Sequence, residues 1–341
     1  MKVTAIGGGT GTTVVLKGLK DYPDVSLSVI VSMTDDGGSN AIVRDEFGLL
    51  PLSDLRKSII ALSKRNGGDI LRELFMYRFS KGKGLSGHTL GNLIMIALSD
   101  ITGSEVNAVK ASSELFGLRG TIIPVTLDKV RLVADYSNGA RVVGEHFIDE
   151  SSNKSRLTKL SVDGKAQANP EAVKAILESD YIVVGPGDLY TSIIANIVIP
   201  GVSEALEKTS AKIVYVSNLM TKIGETRGFG QTDMIQEINR YIGRDVDYVM
   251  INSGKIPHKI LKIYKEDGED EIKDDIKDKA FDKTRVLKLD LLSCDPVHKQ
   301  KGDQLKRSLI RHSSEKLGRE LYFLFRRKTI SFLSWIVRDI N

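Results

Sequence analysis

One cysteine in 341 residues, Cys294, excludes an intrachain disulfide and a thiolate metal cluster, and it reads as a buried or incidental thiol. Prolines number only eight, and neither a low-complexity run nor an internal repeat interrupts the chain. No apolar run reaches the roughly 18 residues that a membrane-spanning helix needs. The first apolar stretch ends in glycine after six residues, too short for the core of a signal peptide. These absences make a cytoplasmic globular protein the expectation.

The formal charge of +5 would point to nucleic acid if it were spread over the body, and it is not. Lys299 to Asn341 hold eleven Lys/Arg and four Asp/Glu, leaving 38 basic and 40 acidic residues, a net of −2, before them. No nucleic acid partner is expected. The basic end carries Tyr322, Phe323, Phe325, Phe332, Leu333, Trp335 and Ile336 around Arg326-Arg327-Lys328. It suits an amphipathic helix for a partner or an anionic membrane surface, or else an ordinary packed helix. Residues 1–325 read as a single α/β domain and 326–341 as a basic amphipathic tail.

The chain is organised around its first loop. Met1–Ile6 is a short apolar strand, followed by Gly7-Gly8-Gly9-Thr10-Gly11-Thr12-Thr13 and then by Val15, Leu16 and Leu19 at helical spacing. Glycines let backbone N–H groups converge, and a helix start adds positive partial charge, so the loop is a candidate phosphate cradle. It fits neither GxGxxG nor GxxxxGK[ST], because no lysine follows the last glycine. A ligand-free βα turn is the competing reading.

Three more strands end in polar loops. Leu27–Ser32 delivers Thr34, Asp35, Asp36, Gly37, Gly38 and Ser39. The paired carboxylates suit Mg²⁺ or a substrate hydroxyl, or else a solvated Asx turn. Tyr181–Val184 runs into Gly185-Pro186-Gly187-Asp188 and then Thr191-Ser192, a second candidate cradle. Ile213–Val216 leads to Asn218 and Thr221, with Glu225 and Thr226 just beyond. Parallel strands set all four loops on one rim, where ligands sit in open α/β sheets.

Elsewhere, Ser53 or Asp54 caps a helix whose buried face is Leu55, Ile59 and Leu62. Arg56 falls in its first turn, which the dipole disfavours for a cation, so a phosphate, a carboxylate or Asp54 is expected beside it. His88, in a glycine-rich loop, is a proton shuttle, a phosphate donor or a structural hydrogen-bonder, and Asn92 is a cap or a ligand contact. Asn138-Gly139 between alternating runs marks a hairpin. It lies in a β excursion over about 121–150, and 149–168 read as polar connection. Asn169-Pro170 open a helix to Glu178. Tyr248–Asn252 reads as a last core strand, Arg285–Leu292 as an edge strand, and Lys265–Lys283 as a solvated charged run. The fold expected is α/β: a three-layer α/β/α Rossmann-like, mostly parallel sheet with a small β-hairpin excursion.

The ordered set GGGTGTT, TDDGGS, LPLSDLRKSIIALS, SGHTLGNL, GPGDLYTSIIANIVIPG and NLMTKIGETRGF closely resembles the 2-phospho-L-lactate transferase-like superfamily. Within it the chain looks most like the bacterial gluconeogenesis factor branch, strongly over residues 1–260. The resemblance implies a cytoplasmic homodimer or higher homo-oligomer. The transferase branch moves a phospholactyl group from a guanosine diphosphate-linked donor onto a deazaflavin, with Mg²⁺. Its Asp-Asp-Gly-Gly carboxylate falls on Asp35 and Asp36, with Asp36 as the metal ligand. The gluconeogenesis factor branch binds UDP-sugars and is associated with carbon metabolism, cell shape and envelope synthesis. By this resemblance the expected ligand contacts are Gly7 to Thr12, Asp35 to Ser39, Asp54, Arg56, His88, Asn92, Gly185, Gly187, Thr191, Ser192, Asn218, Thr221, Glu225 and Thr226. Leu52-Ser53, Asp188, Ala195 and Met234 depart from the family's pattern. Of these Asp188 matters most, because a carboxylate beside a diphosphate must turn away or pair with a cation. A UDP-sugar-binding regulator and a Mg²⁺-dependent phospholactyl-type transferase both remain open.

Overall fold

The protein is described by a computed structural model covering residues 1–37, 50–64, 70–82, 84–277, 281, 283–294 and 309–326. β1 (Lys2–Ile6) is an interior strand of a parallel sheet, paired with β2 (Ser26–Val31) on one side and β7 (Tyr181–Val184) on the other. β3 (Thr121–Pro124) extends the sheet beyond β2. β8 (Lys212–Val216), β9 (Tyr248–Asn252) and β10 (Arg285–Leu289) extend it beyond β7, giving seven strands in all. The central strands are covered on both faces, which requires continuous apolar runs rather than alternation. Accordingly Ala5, Ile6, Ile182, Val183 and Val184 are completely buried.

Helices flank both faces. α1 (Gly9–Leu19) packs with α2 (Ser53–Leu62), beside α3 (Ile70–Met76), α4 (Leu90–Thr102) and α5 (Glu105–Phe116). Between β3 and β7 the chain builds a second, antiparallel sheet of β4 (Arg131–Tyr136), β5 (Arg141–Val143) and β6 (Leu157–Asp163), with α6 (Glu145–Asp149) following β5. α7 (Pro170–Glu178) then leads to β7, its N-cap Asn169 accepting from Glu171 N–H at 3.0 Å. A π-helical turn, Leu189–Ile194, follows β7. α8 (Val202–Lys208), α9 (Gln231–Ile242), α10 (His258–Glu266) and α11 (Ser314–Arg326) complete the order. α7, α8 and α9 pack together as one helical layer, whereas α11 lies on α1 in the other. Among the described residues, no single helix is long and apolar enough to cross a membrane.

Four expectations need correction. Thr121–Pro124 belongs to the main sheet and not to the β excursion. The stretch read as polar connection contains β6; its buried Leu157 and Leu160 are three apart, out of step with strand alternation, where the pairing shifts register at Asp135/Tyr136. The first residue of the second helix is Ser53, preceded by Leu52, and neither Ser53 nor Asp54 caps it. The charged run is not merely solvated. Ile272 is buried and its N–H donates to Leu219 O, while Thr221 and Asp270 exchange two bonds of 2.7 and 2.9 Å.

The described part of the chain's end is a packed helix. Tyr322 stacks on Tyr22 with ring centroids 3.9 Å apart, its hydroxyl bonds Asp24, and Arg326 pairs with Asp24 at 2.6 Å. The remaining tail residues, 327–341, lie outside the described residues, as do Gly38 and Ser39. α11 crosses α1 at two glycines: a Cβ on Gly318 would stand 2.2 Å from Gly18 O, and one on Gly18 would stand 2.3 Å from Ser314 O. Overpacking of a close contact costs about 1–3 kcal/mol. Gly18→Ala is therefore expected to lower the urea unfolding midpoint by a corresponding amount, with a smaller loss for Ala at exposed Gly84, where a Cβ meets nothing within 4 Å.

Candidate functional site

From β1 the chain works outward through β2 to β3, then returns to the far side of β1 as β7. Strand order thus reverses between β1 and β7, and their carboxyl ends bound the crevice where open α/β sheets bind ligands. Two glycine loops meet there. A Cβ on Gly11 would stand 2.2 Å from Pro186 O, and one on Gly8 would stand 2.3 Å from Asp54 Oδ2. Glycine at position 11 is thus required by close packing of the two loops, whereas at position 8 it leaves room for the Asp54 carboxylate at the start of α2. Gly187 N–H donates to Asn218 Oδ1 at 3.2 Å, tying in the loop after β8.

The start of α1 is suited to an anion. Its N-cap Gly8 is extended (φ −138°), no side chain caps it, and no acidic residue lies in its first turn. The first turn's N–H groups have no intrahelical acceptors, and the dipole adds positive partial charge. Gly9 adopts φ +65°, and Ser192 Oγ lies 3.6 Å from where its Cβ would be. Thr12 and Thr13 hydroxyls donate back to Gly8 O and Thr10 O at 3.2 and 2.6 Å. Thr10 and Ser192 are brought to the same mouth.

The second cradle is occupied by the protein's own carboxylate. Glu225 accepts from Tyr190 N–H at 3.1 Å and from the Thr191 hydroxyl at 3.0 Å. Burial pushes its carboxyl up to about 7, Lys222 opposes the shift, and Asp188 and Asp149 reinforce it. Lys222 Nζ lies between three carboxylates: Asp188 at 2.8 Å, Glu225 at 3.3 Å, and Asp149 in direct contact. Burial disfavours its charge, but the three carboxylates together hold its pKa well above the usual lysine range. Asp188, which the sequence left beside a diphosphate, is thus neutralised by a cation. Thr226 Oγ1 accepts from Lys222 N–H, and Thr221 is bonded to Asp270, so both threonines shape the loop.

On the other half of the rim, Asp36 is anchored. Its Oδ1 accepts from His146 N–H at 3.0 Å, and its Oδ2 lies 3.8 Å from Arg131 Nε. Asp35 Oδ1 accepts from Gly37 N–H at 3.0 Å, the Asx turn that was one of the two readings. Thr34 donates to Glu145 at 2.5 Å. Burial and the nearby Asp35 hold the Glu145 carboxyl well above the usual range, against the Thr34 hydrogen bond. Asp54 packs on Gly8 and pairs with Lys57 at 2.9 Å. Arg56 is buried instead, its Nη1 3.4 Å from Met76 Sδ and its Cδ filling the space a Cβ on Gly91 would need. Thr89, rather than Asn92, caps α4, accepting from Asn92 N–H at 3.2 Å. Buried His88 is fixed through its backbone to Phe79 and Leu85.

The residues missed by sequence reasoning are Lys57, Arg131, Glu145, His146, Asp149 and Lys222. Four of them belong to the small sheet and its helix. Their partners are 95 to 111 residues away for Arg131, Glu145 and His146, and 73 for Asp149, so no local spacing announces them.

A parallel sheet with reversed strand order, helices on both faces and an uncapped glycine-led helix at the switch point define a Rossmann-like α/β protein. The chain belongs to the family described as 2-phospho-L-lactate transferase CofD, whose model matches residues 3–292. A relative named "Putative gluconeogenesis factor" from Thermotoga maritima is 42% identical over 270 residues, 79% of this chain and 84% of the relative. One of the same name from Thermoanaerobacterium thermosulfurigenes is 36% identical over 320 residues, 93% of this chain and 94% of the relative. A solved structure of a UPF0052-family protein from Bacillus halodurans superposes with a TM-score of 0.84 at 31% identity, covering 94% of this chain and 98% of its own.

Two outcomes test this geometry. Gly11→Ala would force the β1 and β7 loops apart, and a lowered thermal midpoint is expected even without ligand. Glu225 also gives stability a pH dependence. The folded carboxyl keeps its proton up to about pH 7, whereas an unfolded one loses it near 4.5. The native state holds the extra proton between those values, so stability should fall as pH rises across that window. Glu225→Gln should flatten that part of the profile; a profile identical to wild type would contradict the assignment.

Proposed function

We propose that the chain is a regulatory protein of carbon metabolism, cell shape and envelope synthesis that binds a UDP-sugar. It acts in the cytoplasm, with its diphosphate at the uncapped start of α1. The observation that carries this reading is the switch-point crevice, where an uncapped helix start with no acidic first turn meets the glycine loop after β7. Membership of the family and the gluconeogenesis factor relatives support it. The carboxylates around the crevice suit a hydrated divalent ion between protein and diphosphate, for which Mg²⁺ has the right preference for oxygen and retained water. Asp35, with one oxygen on Gly37 N–H, and Asp54, on Gly8, are placed to take part alongside Asp36.

The family model carries a transferase's description, which keeps phospholactyl-type transfer as a second reading. Calorimetric titration with UDP-N-acetylglucosamine, UDP-glucose, GDP and NAD, each with and without Mg²⁺, separates the cases. Binding of at least one UDP-sugar is expected; silence from all of them at millimolar concentration would sink the first reading. Turnover of a guanosine diphosphate-linked phospholactyl donor with a deazaflavin acceptor would establish the second.

A further inference from the structure

The glycine loop after β1 has no lysine of its own; Lys57 stands beside it on Asp54, and hydrogen bonds from a cation to a diphosphate are among the strong ones. The loop after β8 brings a second cation, on the side of the loop after β7. Lys222 Nζ is 2.8 Å from Asp188, the residue next to Gly187, and the position of a Cβ on Gly187 is 3.6 Å from Gly8 O. The ammonium is therefore held by the residue next to the contact between the two glycine loops. It is only 20% exposed and held by three carboxylates.

The three are not equivalent. Asp188 precedes the π-helical turn, and Glu225 is fixed by Tyr190 N–H and Thr191. Asp149 alone comes from the small sheet's helix, α6; it is 45% exposed, as Asp188 is at 44%, whereas Glu225 is fully buried. Glu145, one helical turn earlier, receives Thr34, and His146 N–H binds Asp36. One five-residue helix thus touches both halves of the rim: the loop after β2 through Glu145 and His146, and the loop after β8 through Asp149. Residues i and i+4 share a helix face, which is why one short element reaches both.

We propose that Lys222 is the cation that meets the diphosphate, and that Asp149 is an internal anion competing with the ligand for it. In this arrangement the small sheet sets the affinity of the crevice. Diphosphate binding shifts Lys222 away from Asp149, loosening α6 on the second half of the rim while Glu145 and His146 keep it on the first. No covalent step is involved. The inference rests on the diphosphate reading but not on the identity of base or sugar.

The test uses the full chain and three probes, UDP-N-acetylglucosamine, UDP and inorganic pyrophosphate, titrated into wild type, Asp149→Asn, Lys222→Met and Lys222→Arg. Removing the competing carboxylate should tighten all three probes, by about fivefold for a partly exposed ion pair. Lys222→Met should weaken them by at least about tenfold, as for loss of a charge-assisted contact, and Lys222→Arg should restore much of that loss. Thermal unfolding of each variant separates misfolding from lost binding, and Asp149→Asn, which removes no cation, gives a gain that misfolding cannot mimic. Wild-type binding of UDP and pyrophosphate without the UDP-sugar would overturn the sugar reading and leave this inference standing. Unchanged affinity in both Asp149→Asn and Lys222→Met would overturn the inference while leaving the sugar reading intact. If no probe binds wild type, Asp149→Asn must reveal binding; silence there too would overturn the inference.

Discussion

The architecture depends on a close approach of backbone to backbone. The loops after β1 and β7 touch where Gly11 meets the Pro186 carbonyl, with no room for even one added carbon. That contact is possible because strand order reverses between these neighbours, so two loops from distant sequence emerge side by side. The uncapped start of α1, the π-helical turn after β7 and the Asn218 bond to Gly187 all take their positions from it.

Charge around this contact is arranged in pairs. Asp54 with Lys57 flanks the first loop, and Asp188 with Lys222 flanks the second. Asp54 thus stands beside a lysine, and Asp188 shares Lys222 with Asp149 and Glu225. Exposed pairs contribute little to stability, but in a partly buried crevice they fix where charges stand before anything binds. Glu225 extends the same logic inward. A glutamate whose carboxyl rises to about 7 supplies the turn after β7 with an acceptor while adding less negative charge than an ordinary carboxylate would near neutrality.

The main sheet was legible because buried parallel strands write themselves as short apolar runs, each followed by glycine, hydroxyl or amide. The Asn138-Gly139 hairpin and the Asn169 cap were legible for equally local reasons: a turn that needs positive φ, and a side chain that answers free N–H groups. What stayed hidden depends on tertiary partners. β6 lacks alternation because its pairing shifts register, and Ile272 gives no hint among its charged neighbours that it threads beneath Leu219. Around Arg56 only part of the environment was local: adjacent Lys57 pairs with Asp54, while the Arg56 Cδ packs where a Cβ on distant Gly91 would stand.

The pairing of the first strand bears on how the protein is made. β1 begins at Lys2, but its β7 edge pairs only with Tyr181–Val184, and Lys2 N–H bonds Asp180 across 178 residues of chain. During synthesis, therefore, β1 and β2 can join early while the other edge of β1 stays open until Tyr181–Val184 has emerged, about 180 residues later. Such late, long-range pairing slows folding and leaves a sheet edge available to wrong partners. The crevice closes only after β7 and the loop after β8 have been made, and the small sheet, already translated by then, stands ready to bridge it.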